Sequence, residues 1–204
     1  MTQVLTNPPS TQTAPAASLA SQIADPAPLG LGAFALTTFM LSAFNTGLLP
    51  KSAEVVILGV ALFYGGLAQI FAGMWEFAKG NTFGALAFTS YGAFWMSFWY
   101  LSAHSGLAKA DAPQGVGIFL LAWTIFSVYM TVVTARVSGL LFTLFSVLVV
   151  TFLFLTVGAF ASAPALTHIG GYLGILTALV AWYASFAGVL NGTAKRIVMP
   201  TWPR

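Results

Sequence analysis

Hydrophobic residues fill this chain in long blocks separated by short polar breaks. Six blocks can be distinguished, and each has about the 20 residues that a helix needs to cross the hydrocarbon core of a bilayer. They cover approximately residues 28–49, 54–77, 83–103, 114–135, 138–160 and 168–191, and nearly all charged and turn-forming residues lie between them. The pattern predicts an all-α, polytopic membrane protein with six transmembrane helices.

The break between the fourth and fifth blocks is the least marked. Arg136 is its only charged residue, and the hydrophobic sequence resumes immediately on both sides. A single bent helix across this point is therefore an alternative to two separate helices.

The two ends of the chain differ from the blocks between them. Residues 1–24 carry no charge and are rich in Thr, Ser, Ala, Gln and Pro, a composition that predicts a disordered tail. We place the six-helix domain at residues 25–195 and a short cytoplasmic tail at residues 196–204. Because residues 1–24 lack the basic and apolar regions of a signal peptide, we expect the first membrane helix to direct insertion.

The composition excludes several classes of protein. Hydrophobic residues make up 58% of the chain and charged residues only 5%, with a mean hydropathy of +0.89, which a soluble domain could not sustain. Seven Lys and Arg residues are too few for a nucleic-acid surface. The chain has no Cys, and the predicted spans contain no paired His and no pair of carboxylates. We therefore expect no enzyme activity, no metal and no cofactor.

The distribution of basic residues predicts the orientation in the membrane. With six spans, both termini lie on one side of the bilayer. The basic residues expected on that side are Lys79, Arg136, Lys195, Arg196 and Arg204, and those expected on the other are Lys51 and Lys109. Because Lys and Arg are enriched in short cytoplasmic loops, the pattern places both termini in the cytoplasm and the protein in the cell membrane.

A short internal repeat bears on the architecture. Residues 27–36 and residues 112–121 are identical at six of ten positions, and they open the first and fourth blocks. An offset of three helices gives the two copies opposite orientations, as in transporters built from inverted 3+3 repeats. Chance similarity between two apolar segments is the alternative.

The first block begins with a helix-start signal. The carboxylate of Asp25 can accept from backbone N–H groups one turn on, and Pro residues are tolerated in a first helical turn because their missing N–H would be unpaired there. We expect Asp25 and Pro26 at a helix cap beside the cytoplasmic mouth.

Several motifs, in this order, resemble the acetate uptake transporter family. They are Asp25–Leu31, the Tyr-Gly-Gly-x-x-Gln-x-x-x-Gly block at 64–73, Glu76, Lys-Gly-Asn-Thr-Phe-Gly at 79–84 and Thr-Ser-Tyr-Gly at 89–92. The resemblance covers residues 25–195. It implies transport of acetate and related short monocarboxylates, in some members succinate, by a proton-linked or channel-like route. It also implies a homohexamer in which each protomer, embedded in membrane lipids, holds its own pore.

The resemblance implies a hydrophobic constriction formed by Phe34, Tyr91 and Leu148. A different register of the fifth block would place Phe145 there instead of Leu148. Such a neck would favour a small anion with a methyl tail. The chain departs from the family at Asp25, where an Asn is usual, and this departure adds a negative charge near the mouth.

No Lys or Arg lies within a predicted span, so a carboxylate that crosses the membrane through this protein meets no full positive charge. Neutral hydrogen-bond donors must therefore take the place of its hydration water. Weak binding by such donors suits conduction. Gln69 either lines the pore or joins two helices, since Gly65 and Gly73 flank it with small residues. Tyr91 is a further polar step. The polar residues expected to contact substrate are Thr37, Thr38, Asn45, Gln69, Thr89 and Ser90.

Three titratable residues are candidates for proton linkage. Glu76 lies within a turn or so of a span's interior, where an ion pair with Lys79 is the alternative role. His104 and His168 fall on the external side, where low pH could charge them and attract anions. A channel for a neutral solute such as ammonia or urea is the alternative function, because a narrow apolar pore with polar steps also suits such solutes.

Overall fold

The computed structural model describes residues 19–104, 106–108 and 110–204. In this part of the chain, six long helical segments alternate in direction, so that each begins at the end of the bundle where the previous one finishes. A one-turn helix, α1 (Leu19–Gln22), precedes them. The segments are α2 (Ala27–Asn45); a composite of a 3₁₀-helix (Lys51–Val56), α3 (Ile57–Val60), a π-helix (Ala61–Ala68) and α4 (Gln69–Lys79); α5 (Thr82–His104); α6 (Ala112–Thr134); α7 (Gly139–Phe160); and α8 (Pro164–Ala194).

Among the described residues, five of these segments are long and apolar enough to cross a membrane. They are Ala27–Asn45, Lys51–Lys79, Ala112–Thr134, Gly139–Phe160 and Pro164–Ala194. Helix α5 is not among them, although its 23 residues are sufficient in length. Its Trp, Tyr and Ser residues lower its mean hydropathy. The prediction of an all-helical, multi-pass membrane protein is confirmed at this level.

The chain turns fully between α6 and α7. Helix α6 ends at Thr134, and Ser138 adopts an extended conformation with φ −160° and ψ 153°. The Ser138 hydroxyl accepts a hydrogen bond from the N–H of Leu141 at 3.1 Å, which caps α7. The single bent helix considered for this region is therefore wrong.

Helix α2 starts one residue later than an Asp25 cap requires. The carbonyl of Pro26 accepts from the N–H groups of Leu29 and Gly30, so Pro26 occupies the N-cap position. Asp25 accepts from Ala27 N–H at 3.4 Å and from Lys79 Nζ at 3.2 Å. Because Pro residues on both sides of Ala27 supply no N–H, the carboxylate finds only one backbone donor and instead ties α2 to α4.

The two predicted tails have different outcomes. Residues 1–18 lie outside the described residues, and the rest of the predicted disordered tail includes α1, which packs against α4. Residues 196–204 fold back on the bundle through several hydrogen bonds.

Glycines bring neighbouring helices into close contact. A Cβ on Gly171 of α8 would lie 2.5 Å from the backbone nitrogen of Thr46, at the end of α2. In the other half of the bundle, a Cβ on Gly92 of α5 would lie 2.8 Å from the carbonyl oxygen of Gly66. Small residues permit such backbone approach in membrane bundles. A cluster of buried aromatic and aliphatic side chains, including Phe34, Tyr91 and Leu148, fills the interior between the helices.

Candidate functional site

Two cavities in the described part of the chain extend into the bundle from opposite ends and share Phe34 and Leu148 in their walls. The lower cavity, about 100 Å³, lies at the end where α2 begins and is lined there by Ala27, Asn81 and Val137. The upper cavity, about 430 Å³, lies at the end where α2 finishes. The two cavities therefore adjoin each other at these two shared side chains.

Phe34 and Leu148, together with Tyr91 of the lower cavity, lie where the two cavities adjoin, and we call these three residues the neck. All three side chains are buried, and the rings of Phe34 and Tyr91 lie 5.5 Å apart between centroids. Tyr91 lines the lower cavity, as does Phe145, whose ring centroid is 6.0 Å from that of Tyr91. The structure thus brings the three residues predicted for the constriction together, with Leu148 at the junction of the cavities and Phe145 below it.

The hydroxyl of Tyr91 is held by helix α6. It lies 2.8 Å from Ser127 Oγ, and Ser127 Oγ itself donates to the carbonyl of Trp123 at 2.8 Å. Because a serine has only one hydroxyl proton, the O–H of Tyr91 is the donor to Ser127. Tyr91 therefore presents its ring to the neck, and its expected role as a polar step is not supported. Sequence reasoning missed Ser127, since nothing in the pattern links α6 to Tyr91.

Gln69 and Glu76 line the lower cavity, and each side chain is only 1% exposed. Glu76 Oε2 accepts from the amide of Asn81 at 2.9 Å. Within the described ranges, the Oε1 atoms of Gln69 and Glu76 have no hydrogen-bond partner. The ion pair suggested between Glu76 and Lys79 is wrong, because Lys79 bonds to Asp25. The lower cavity therefore carries two buried acceptor oxygens.

The turn from α4 to α5 positions the Glu76 carboxylate. Gly80 has φ 77°, and the N–H groups of Gly80 and Asn81 bond to the carbonyls of Phe77 and Glu76, as in a Schellman motif. Asn81 then caps α5 by accepting from Gly84 N–H at 3.2 Å. The side chain of Asn81 thus caps the N-terminus of α5 with its oxygen and donates to the Glu76 carboxylate with its amide group.

Thr38 and Asn45 line the upper cavity, on the face of α2 that also carries Phe34. The side chains of Thr37 and Thr151 donate to carbonyls four residues earlier in their own helices. The Thr38 hydroxyl is buried and has no such partner among the residues described.

Trp95 is a second residue of the upper cavity whose polar atom is unused. Its side chain is 2% exposed, and its indole nitrogen has no acceptor within the described chain. Trp95 was not named as a candidate site residue from the sequence. Its position four residues after Tyr91 was the available signal, because residues i and i+4 share a helix face.

Other predicted residues lie away from both cavities. Thr37 packs against Gly65 and Thr89 against Gly73, at contacts between helices. Ser90 lines neither cavity. Thr37, Thr89 and Ser90 are each next in the chain to a residue that lines a cavity. Because each residue of a helix is rotated by about 100° from the one before it, the neighbour of such a residue lies on a different face of the helix.

The two histidines also lie outside the cavity walls. His104 is exposed and its ring is stacked on Tyr100 with centroids 5.5 Å apart. His168 is exposed and packs on Gly47 at the end of α2. Both are at the upper end of the bundle. There, Lys51 and Glu54 form an ion pair in the wall of the upper cavity.

Comparison with known proteins shows similarity over almost the whole chain. The family profile described as the GPR1/FUN34/yaaH family matches residues 9–203. Accumulation of dyads protein 2 of Saccharomyces cerevisiae is 46% identical over 190 residues, which cover 89% of this chain and 67% of that protein. The succinate-acetate/proton symporter SatP of Escherichia coli is 39% identical over 182 residues, 88% of this chain and 96% of that protein.

The fold is also found in a solved structure. The bacterial acetate channel SatP matches with a TM-score of 0.82 at 39% sequence identity, covering 88% of this chain and 99% of that chain. Acetate permease A of Emericella nidulans is 39% identical over 198 residues, 89% of this chain and 66% of that protein. The chain thus spans about two thirds of the length of these fungal relatives and nearly all of the bacterial one.

Because Asn81 contacts Glu76, we expect the stability of the variant Asn81→Asp to depend on pH. Asn81→Asp keeps an oxygen for Gly84 N–H but places a second carboxylate beside Glu76. We expect a loss of about 1–3 kcal/mol in the free energy of unfolding at pH 8. Part of it should return at pH 5, where protonation of either carboxyl relieves the repulsion. Unfolding in detergent at the two pH values measures this. Asn81→Ala adds no charge, and an equal pH response in both variants would contradict the contact.

Proposed function

Because the chain belongs to the GPR1/FUN34/yaaH family, we propose that it is a membrane transport protein for acetate and related short monocarboxylates, carried through the lumen of its own helix bundle. The observation that carries this proposal is the meeting of two cavities from opposite ends at Phe34 and Leu148. The names of its relatives agree, since they include an acetate permease and a succinate-acetate/proton symporter.

We propose that all six long segments span the membrane, with α5 as the sixth crossing. It runs between the same two ends as its neighbours, with Phe83 beside the lower cavity and Ser102 beside the upper. The repeat at the starts of α2 and α6 supports a 3+3 inverted architecture, because the two helices begin at opposite ends of the bundle. Phe34 and its counterpart in the repeat, Phe119, both line the upper cavity.

The neck selects for size and for an apolar tail. The side chains of Phe34, Tyr91 and Leu148 offer no free hydrogen-bond donor, since the Tyr91 hydroxyl donates to Ser127. A strongly hydrated or bulky solute must shed water there without replacement, which costs free energy. A small carboxylate can pass with its methyl group against the rings while its oxygens remain near polar groups on either side. Succinate, with a second carboxylate, should pass less readily.

The hydrogen-bond donors nearest the neck are neutral, although the carboxylate of Glu76 also lines the lower cavity. Above it, the Thr38 hydroxyl and the Trp95 indole N–H are buried donors without partners in the part of the chain described. Asn45 lies nearer the upper end, and the Gln69 amide lies in the lower cavity. Neutral donors hold a carboxylate more weakly than Lys or Arg would, and this permits rapid release.

Glu76 is the residue we propose for proton linkage. It is buried in the wall of the lower cavity and keeps one oxygen free of protein partners among the described residues. Protonation there would remove a negative charge from the route of an anion. His104 and His168 are then restricted to an electrostatic influence at the upper end.

The lower end is proposed to face the cytoplasm. Lys79, Arg136 and Lys195 lie at this end, together with the C-terminal residues, while Lys51 lies at the upper end. This distribution agrees with the enrichment of basic residues in cytoplasmic loops. We further propose a homohexamer with one pore in each protomer. The support for this oligomer is the resemblance to the acetate uptake transporter family. The outward aromatic residues of α4, among them Trp75 and Phe71, would face lipid or a neighbouring protomer.

Counterflow in liposomes tests the function directly. We expect labelled acetate to exchange, propionate to compete with it, and urea and ammonium to have no effect. Liposomes without protein provide the background. Exchange of urea or ammonium with no movement of acetate would overturn the proposal in favour of a neutral-solute channel.

Widening the neck should relax its selection for size. Phe34→Ala removes a buried ring that borders both cavities, and we expect the ratio of succinate to acetate uptake to rise. Phe39→Ala removes an exposed ring from the same helix and is the matched control. If Phe34→Ala left the ratio at the wild-type value, selection would have to occur elsewhere.

Removing the free hydroxyl above the neck should weaken binding without disturbing the helix. Thr38→Val keeps the side-chain shape, and loss of a hydrogen bond to a charged group should raise the acetate concentration for half-maximal uptake by about tenfold or more. Its neighbour Thr37, whose hydroxyl is bonded to Ala33, provides the control Thr37→Val. Concentration dependence of uptake measures both variants. Equal shifts in the two would contradict a role of the Thr38 hydroxyl in binding.

A further inference from the structure

Residues 195–204 form a segment, which we call the strap, that returns across the lower end of the bundle. Asn191, in the last turn of α8, holds its first half. The Asn191 side-chain oxygen accepts from the N–H groups of Val198 and Met199 at 2.7 and 2.9 Å, and its amide donates to the Met199 carbonyl at 2.8 Å. The Tyr183 hydroxyl donates to the carbonyl of Pro200 at 3.0 Å. Two side chains of α8 thus fix the path of the strap.

The second half of the strap is bonded to the turn between α6 and α7. The Trp202 carbonyl accepts from Gly139 N–H at 2.8 Å, and Arg204 N–H donates to the Val137 carbonyl at 3.2 Å. The Arg204 guanidinium donates to the Ala135 carbonyl at 2.9 Å and lies over the ring of Phe142. The strap therefore connects the end of α8 to the start of α7.

The turn that the strap holds is a wall of the lower cavity. Val137 and Leu141 line that cavity together with Ala27 of α2 and Glu76 of α4. Any movement of residues 135–141 away from the bundle would widen the lower cavity, which is the smaller of the two that meet at the neck.

The strap has the features of a contact that can be released. Lys195 and Trp202 adopt positive φ values of 51° and 46°, a conformation that costs free energy in residues other than glycine. Trp202 is 56% exposed, so much of the strap's far end is at the surface. Its attachment consists mainly of hydrogen bonds, which water can replace when they open. Strain at two positions would be relieved by lifting the strap.

We propose that the strap is a latch on the α6–α7 turn, and that its release opens the lower cavity to small carboxylates. This inference rests on the proposed transport function. It assigns Asn191 a positioning role, because Asn191 contacts the strap and not the lumen. The latch also gives a reason for the hydrogen bonds that join the strap to α8 and to the start of α7.

A reversible cross-link tests the latch. A Cβ on Gly139 would lie 3.3 Å from the Trp202 Cβ, close to the spacing of the Cβ atoms in a disulfide. The chain has no Cys of its own, so the double variant Gly139→Cys with Trp202→Cys contains a single possible pair. Acetate counterflow is measured in proteoliposomes before oxidation, after oxidation and after reduction. Each single-Cys variant, treated identically, is the control for the substitutions and the reagents.

We expect oxidation to abolish most of the acetate flux of the double variant and reduction to restore it, with no such cycle in the single-Cys variants. Equal flux in the oxidised and reduced double variant would overturn the latch. Absence of acetate flux in the unmodified protein would instead contradict the proposed function, so the two failures are distinguishable.

A second variant tests the same latch from the opposite direction. Asn191→Leu removes the three hydrogen bonds that hold Val198 and Met199 while keeping a side chain of similar size. We expect higher acetate flux than in the wild type, together with a weaker preference for acetate over larger monocarboxylates, because the lower cavity is less confined. Asn191 lies outside both cavity walls, so a purely structural role would lower the amount of folded protein without changing this preference. An unchanged preference in folded protein would contradict the latch.

Discussion

A helix bundle in lipid has no surrounding water to satisfy its polar groups, and this constraint governs the interior of the protein. Backbone groups are satisfied within the helices, and many hydroxyls return to carbonyls of their own helix, as Thr37, Ser127 and Thr151 do. A polar side chain that does not return in this way must find a partner in another helix or in the lumen. Buried polar side chains that remain without a partner in the described chain are therefore candidates for contact with a transported solute.

Apart from the hydroxyl of Thr89, which lies at a contact between helices, these unpaired groups line the two cavities on either side of the neck. Thr38 and Trp95 line the cavity above it, and Gln69 and Glu76 line the cavity below it. The neck itself has no free hydrogen-bond donor, because the hydroxyl of Tyr91 donates to Ser127. The arrangement separates two tasks. In the proposed function, the neck selects for size, while the Thr38 hydroxyl and the Trp95 indole N–H donate to a small carboxylate above it.

The two ends of the bundle differ in their chemistry. The lower end is organised by specific polar contacts: Asp25 with Lys79, Glu76 with Asn81, and the strap with the turn between α6 and α7. The upper end has a wider cavity and exposed histidines. At the lower end, the strap is hydrogen-bonded to the α6–α7 turn, whose residue Val137 lines the lower cavity.

The sequence by itself determined the helical class, the six apolar blocks and their bounds to within four residues, because burial in lipid demands long uninterrupted hydrophobic runs. Phe34, Tyr91 and Leu148 were named through a resemblance, and Thr38 and Asn45 were named only as neutral donors within a predicted span. Tertiary structure decided the rest. The rotation of each helix separated Thr38 from Thr37, and packing between distant helices paired Tyr91 with Ser127 and Lys79 with Asp25. It also attached the strap to the α6–α7 turn. Such contacts join residues far apart in the chain, so no local pattern of hydrophobic and polar positions encodes them.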